Sequence, residues 1–145
     1  MPGSEIFVPF FGMLLLTLVV WIFMYVRRLA YIVGHRIDSQ DLTTPEKGAK
    51  IIPEKIHWPA YNFRNLFELP VIFYALCIYL YVTGKVDAVY VTSAWVFLAL
   101  RVAHSAIHCS VNIVKLRFAA YMIGAVALWF MVLRAAFGIF AGSML

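Results

Sequence analysis

Long apolar runs, broken by a few polar residues at helical spacing, organise this chain. Residues 6–26 carry no charge. A helix of that length crosses the roughly 30 Å hydrocarbon core of a bilayer at about 1.5 Å per residue. Residues 61–84, 88–113 and 116–142 qualify with less margin. The pattern predicts transmembrane helices over about 6–34, 60–83, 87–113 and 116–142. The expected fold is therefore an all-α integral membrane protein, a four-transmembrane-helix bundle occupying 1–145 as a single domain. The first run does not read as a signal peptide, because no basic residue precedes it, it is too long and no small-residue cleavage site follows.

The one substantial polar stretch is 34–59. Within it Thr43-Thr44-Pro45-Glu46 predicts the start of a short helix, with Pro45 in its first turn and Thr43 and Glu46 at capping-box spacing. The remainder reads as surface loop, with a mobile or catalytic lid as the alternative. The second span contains Pro70, which cannot donate to the Leu66 carbonyl, so a kink is expected just after Glu68.

Composition supports a membrane chain: 64% of residues are hydrophobic and 13% charged, against a charged fraction of about 25% in globular domains. The net charge of +5 is explained by its placement. Arg27, Arg28, Arg36, Lys47, Lys50, Lys55 and Arg64 surround the first loop, and Lys115 and Arg117 lie at the third. The positive-inside rule then expects both loops in the cytoplasm and both termini on the other side, with the inner membrane as the location in a bacterial cell. No nucleic-acid partner is needed to account for the charge, and membrane lipid is the expected surrounding. Cys77 and Cys109 fall inside predicted spans and read as small core residues.

Ionisable groups inside a span cost at least a few kcal/mol and usually face an interior or a pathway. At about 100° per residue, Tyr61, Arg64, Asn65 and Glu68 fall within an arc of about 100° on the second span. Arg101, His104 and His108 span about 60° on the third, and Asn112 would extend that stripe. Arg117 and Tyr121 lie one turn apart on the fourth. Depths along the helices agree, so a Glu68–Arg101 contact is the natural expectation. Arg64, Arg101 and Arg117 outnumber Glu68, which makes the shared pocket cationic and suited to an anionic ligand. A structural network gluing helices together is the alternative. His104 and His108 at i, i+4 could share a metal, but the arginines on the same surfaces would repel a divalent cation, and no metal is expected.

These motifs resemble the membrane-associated proteins in eicosanoid and glutathione metabolism, the MAPEG family. Arg64-Asn65-Leu66-Phe67-Glu68 is similar to the family's Arg-Asn-x-x-Glu signature, and Arg101-Val102-Ala103-His104-Ser105 resembles its third-helix motif. Arg117 and Tyr121 follow at matching offsets, closest in motif to the prostaglandin E synthase-like members. The resemblance covers the second to fourth spans; the first matches in hydropathy and its basic end. It implies a homotrimer binding glutathione between subunits, and a membrane-bound transferase or peroxidase acting on a lipophilic small molecule. Asn65 and Glu68 would contact the peptide, while Arg64, Arg101, His104, His108 and Tyr121 would engage carboxylates or shape the pocket. Arg117 would stabilise the thiolate as the catalytic residue. Three positions depart from the eicosanoid enzymes: Tyr61 replaces an arginine, His108 a tyrosine, and Phe118 a serine proposed to assist the thiol. A non-catalytic protein of the same fold, binding a lipid, an anionic ligand or a protein partner, is the alternative.

Overall fold

The computed structural model describes residues 2–142, with side chains up to 140. Helix α1 covers Phe7–Gly34, α2 Pro45–Ile51, α3 Glu54–Asn65, α4 Leu69–Val82, α5 Ala88–Cys109 and α6 Val114–Gly142. Four helical spans are long and apolar enough to cross a membrane: Ser4–Gly34, Glu54–Val82, Ala88–Cys109 and Val114–Phe140. The second of these is α3 followed by α4. No strand occurs among the described residues.

The partition of side chains is that of a protein dissolved in lipid. Val33, Val82, Phe137 and Phe140 are each more than 60% exposed, whereas Arg101, His104, His108, Asn62 and Ser105 are buried. An apolar exterior has no cost in hydrocarbon, while every polar group there needs a partner. The apolar core follows helical periodicity. Ile6, Met13 and Val20 recur every seven residues along the first span, and Phe73, Leu76, Cys77 and Leu80 form the inward stripe of α4. Tyr90, Ala94, Phe97 and Leu98 line α5, facing Leu128, Met131 and Ala135 of α6. α5 and α6 pack as a hairpin, and α1 lies mainly against α3 and α5.

The polar stretch after α1 is more structured than its composition suggests. A 3-10 turn at Ser39–Leu42 leads into α2, and α3 begins at Glu54, about a turn and a half before the predicted start of the second span. The capping residue of α2 is Thr44, not Thr43: its hydroxyl accepts from the Lys47 N–H at 3.3 Å, with Pro45 in the first turn. The Glu46 carboxyl is held below its usual range by its own backbone N–H and by the Thr44 hydroxyl.

Two termini are closed by specific chemistry. Gly84, at φ +65°, ends α4 and allows the Lys85 N–H to reach back to the Leu80 carbonyl at 2.8 Å. Asp87 caps α5, accepting from the Tyr90 N–H at 3.0 Å, and also takes both Arg134 Nη groups of α6 at 2.9 and 2.7 Å. Arg134 additionally lies 4.3 Å over the Tyr90 ring. One carboxylate therefore starts α5 and ties it to α6.

The Arg134 hydrogen bonds hold the Asp87 carboxyl below the usual carboxylate range. A depressed carboxyl stabilises the fold fully above its unfolded pKa and loses that contribution as pH falls through the folded value. In detergent at neutral pH, Asp87→Ala should lose about 1 kcal/mol for the missing cap. Asp87→Asn, which keeps a capping oxygen, should fall between it and the parent. Thermal denaturation should show the gap between parent and Asp87→Asn closing as pH drops below the ordinary carboxylate range; a gap constant with pH would exclude the ion pair as its source.

Candidate functional site

The site starts from a broken helix. Pro70 lies in the first turn of α4 and brings no N–H, and Glu68, at φ −95° and ψ −103°, leaves the helical region altogether. Between α3 and α4 the chain makes tighter turns, with Phe67 N–H to Arg64 O at 3.0 Å and Glu68 N–H to Asn65 O at a long 3.4 Å. The interruption thus covers 66–68 and ends where the kink was expected, at Glu68. It leaves the Asn65 carbonyl poorly satisfied in the middle of a span.

Arg101 fills that need. Its side chain is 0% exposed, and its Nη2 donates to the Asn65 backbone carbonyl at 3.0 Å and to Asn65 Oδ1 at 2.7 Å. Asn65 Nδ2 in turn donates to Glu68 Oε2 at 2.7 Å. The expected Glu68–Arg101 contact is therefore not direct: an amide stands between the charges, accepting from one and donating to the other. Among the described residues the ion pair within 4 Å is Arg134–Asp87. Glu68 itself is exposed.

Around Arg101 the polar stripe of α5 closes against α6. Tyr121 presents its ring 5.5 Å from the guanidinium carbon. His104 lies 5.7 Å from the same ring and 5.4 Å from the perpendicular His108 ring. His104 Nδ1 is 2.8 Å from the Arg117 backbone carbonyl. That oxygen can only accept, so Nδ1 carries the proton and fixes the ring's orientation. Arg101 Nε and Nη1, His104 Nε2 and His108 Nδ1 are buried without a hydrogen-bond partner. Buried polar atoms of this kind are uncommon, and their concentration around one guanidinium marks a place suited to polar ligand groups.

The predicted residues thus separate into two groups. Asn65, Arg101, His104, His108 and Tyr121 converge, with Arg117 joined through its carbonyl and Glu68 through Asn65. Arg64 does not join them. It is exposed and lines a cavity of about 480 Å³ together with Arg28, His57, Tyr61 and the 42–49 segment. Asn112 also leaves the predicted stripe: α5 ends at Cys109, and Asn112 sits beyond it at φ +50°, with Oδ1 accepting from Arg117 Nη1. Tyr121 belongs to two environments, since it also begins an apolar groove of about 470 Å³ running to Leu133 along α6, with Leu69 on its other side.

Residues that charge-based reading overlooks complete the support. Asn62 is 0% exposed, accepts from Ser105 Oγ at 3.3 Å and approaches Cys109 Sγ at 3.5 Å. Arg27 Nη1 donates to the Cys109 carbonyl at 3.2 Å. These contacts bind α3 and α1 to the end of α5, and so fix the depth at which Arg101 meets the break. Asn62 is three residues before Asn65, a signal that was present in the sequence but lacked a charge to draw notice.

The bridging amide has a measurable consequence. Asn65→Leu removes a partner from a buried guanidinium and should destabilise the protein in detergent by about 3 kcal/mol. Joining it to Arg101→Met should recover part of that loss, because the stranded charge goes with its partner. Additive losses in the double variant would show that the two residues are not coupled.

No curated protein and no solved structure matches the chain. The model of the MAPEG family matches residues 6–137, a stretch that holds the helix break, the α5 stripe and most of α6. The chain is an integral, multi-pass membrane protein with a four-helix bundle fold, and it belongs to the MAPEG family.

Proposed function

We propose that this protein is a membrane-bound glutathione-dependent transferase or peroxidase acting on lipophilic electrophiles. The observation that carries the reading is the buried, cationic cluster at the α3–α4 break, whose unpaired polar atoms lie between an apolar groove and a polar cavity lined by Arg28, Arg64 and Glu46. Membership of a family associated with glutathione and eicosanoid metabolism supports glutathione as the polar partner. The motif likeness to prostaglandin E synthase-like members belongs to this proposal as well, although Tyr61, His108 and Phe118 argue against that enzyme's own substrate.

In this reading Glu68 receives the glutathione ammonium, and Asn65 contacts the peptide. Arg101, His104, His108 and Tyr121 shape the polar pocket. Arg64 and Arg28, both on the 480 Å³ cavity, offer cations to carboxylates. Arg117 stabilises the thiolate: a cation beside a thiol lowers its pKa, and the thiolate is the nucleophile. In a conjugation the thiol proton is released and the sulfur bonds the electrophilic carbon, while a leaving group departs with its bonding pair or, in an addition, the opened π bond takes up a proton. The groove from Tyr121 to Leu133 faces the lipid-exposed side of α6 and suits the apolar body of the second substrate.

We further propose a homotrimer with sites at subunit interfaces and the basic ends of the helices in the cytoplasm. Tyr61, at 41% exposed, and the exposed Arg64 and Glu68 lie on one side of a membrane span, where lipid is a poor neighbour for charge. A second copy of the chain would cover them. Phe118, 60% exposed beside Arg117, has no hydroxyl to offer a thiol and favours the second reading, a non-catalytic protein that binds a lipid or an anion with the same fold.

Ultraviolet absorbance separates these readings. The purified protein should produce a thiolate band on binding glutathione at neutral pH, and Arg117→Ala should abolish it. Absence of glutathione binding at millimolar concentration would sink the transferase reading. Independently, native mass spectrometry in detergent should show trimers; a clean monomer would leave the proposed interface without a second subunit.

A further inference from the structure

The turn joining α5 to α6 sets a side chain against the Arg117 guanidinium. Asn112 adopts φ +50°, a left-handed conformation that asparagine tolerates better than other residues carrying a side chain. Its backbone N–H donates to the Ile107 carbonyl at 2.7 Å, anchoring it to the last turns of α5. From that fixed backbone, its side-chain oxygen accepts from Arg117 Nη1. Arg117 is also held through its main chain. Its N–H donates to Ile113 O at 3.1 Å, and its carbonyl accepts from His104 Nδ1 at 2.8 Å.

We propose that Asn112 is a positioning residue that sets the orientation of the Arg117 guanidinium, the left-handed turn acting as the rigid mount for its acceptor. This inference rests on the glutathione reading for its catalytic meaning, but the positioning itself is a property of the free protein. Arginine is long and flexible, and holding it in one orientation before the ligand arrives removes an ordering cost from the reaction. The choice of side chain is informative. A guanidinium has five N–H groups, so a single contact through Nη1 leaves Nη2 and Nε for a thiolate. A neutral amide holds the arginine without cancelling its charge, whereas a carboxylate at the same place would hold it and neutralise it. Glycine would keep the backbone conformation but hold nothing.

Those three side chains form the experiment. In the absence of glutathione, phenylglyoxal labelling followed by mass spectrometry should modify Arg117 several-fold faster in Asn112→Gly than in the parent. Asn112→Asp should leave it as protected as the parent or more so. Titration of the thiolate absorbance of bound glutathione should then show the apparent thiol pKa raised by about one unit in both variants, for opposite reasons. Glutathione affinity should stay within about twofold below the pKa of the bound thiol, where its ammonium and carboxylates are held by other residues, and should fall by up to about tenfold at neutral pH, the loss that a one-unit rise in thiol pKa carries. A purely structural role for Asn112 predicts equal labelling in Asn112→Gly and the parent, and that result would overturn the proposal. If labelling accelerates in Asn112→Gly while the parent forms no thiolate, the positioning role stands and the glutathione reading fails.

Discussion

The structure depends on one arrangement: a fully buried arginine holding together a helix that a proline has broken. Each half would be untenable in a membrane by itself. A guanidinium in hydrocarbon demands acceptors, and an interrupted helix in a span exposes carbonyls that demand donors. Arg101 and Asn65 cancel both demands, because Nη2 bonds the backbone oxygen released at the break and the side-chain oxygen beside it. The Asn62–Ser105 contact one turn away holds α5 against α3 at the depth this arrangement requires. The outward turn that leaves Glu68 at the surface has its origin in the same break.

Much of this was legible in the sequence because it follows from strong, local signals. Charge-free runs the length of a bilayer define the spans, Pro70 identifies the helix that must break, and the spacing of Arg101, His104 and His108 defines the buried face of α5. What the sequence concealed was weaker chemistry. Charges at matching depths suggested that Glu68 and Arg101 would meet, but depth does not reveal which atoms the break sets free. The backbone carbonyl of Asn65 has no representation in a side-chain pattern. Asn112 shows the same limit: helical spacing continued the stripe through it, yet the left-handed φ that removes it from the helix is decided by how α5 ends. Within 34–59 the capping residues announced α2, but Ser39–Leu42 and the first turns of α3 looked like loop because they lack an apolar face long enough to register as periodic.

The polar and apolar cavities acquire meaning from their relation to the break. A continuous helix from Glu54 to Val82 would satisfy its own backbone and leave Arg101 with no carbonyl to bond. The break instead divides the span into α3, whose outer face carries Tyr61 and Arg64, and α4, whose first residue, Leu69, begins the apolar groove. A polar ligand approaching from the basic end and an apolar one arriving from lipid would therefore meet near residues 65–69 and Tyr121. Such a meeting place is what the proposed reaction between a water-soluble thiol and a lipophilic electrophile would require at that level of the span.

Charge balance sharpens the point. Within the cluster, Arg101 is spread over Asn65 and the face of Tyr121, while Arg117 is met by an amide and not by an acid. At the far end of the same helices the opposite choice is made, where Asp87 pairs with Arg134 through two hydrogen bonds. A fold that needed only to bind its arginines could have used carboxylates at both ends. Neutral acceptors at one end preserve positive potential there, and in a low-dielectric setting that potential acts strongly on any anion that enters. The contrast between the two ends of the bundle therefore separates Arg134, whose charge is neutralised where it fastens α6 to α5, from Arg101 and Arg117, which make their contacts with their positive charge intact.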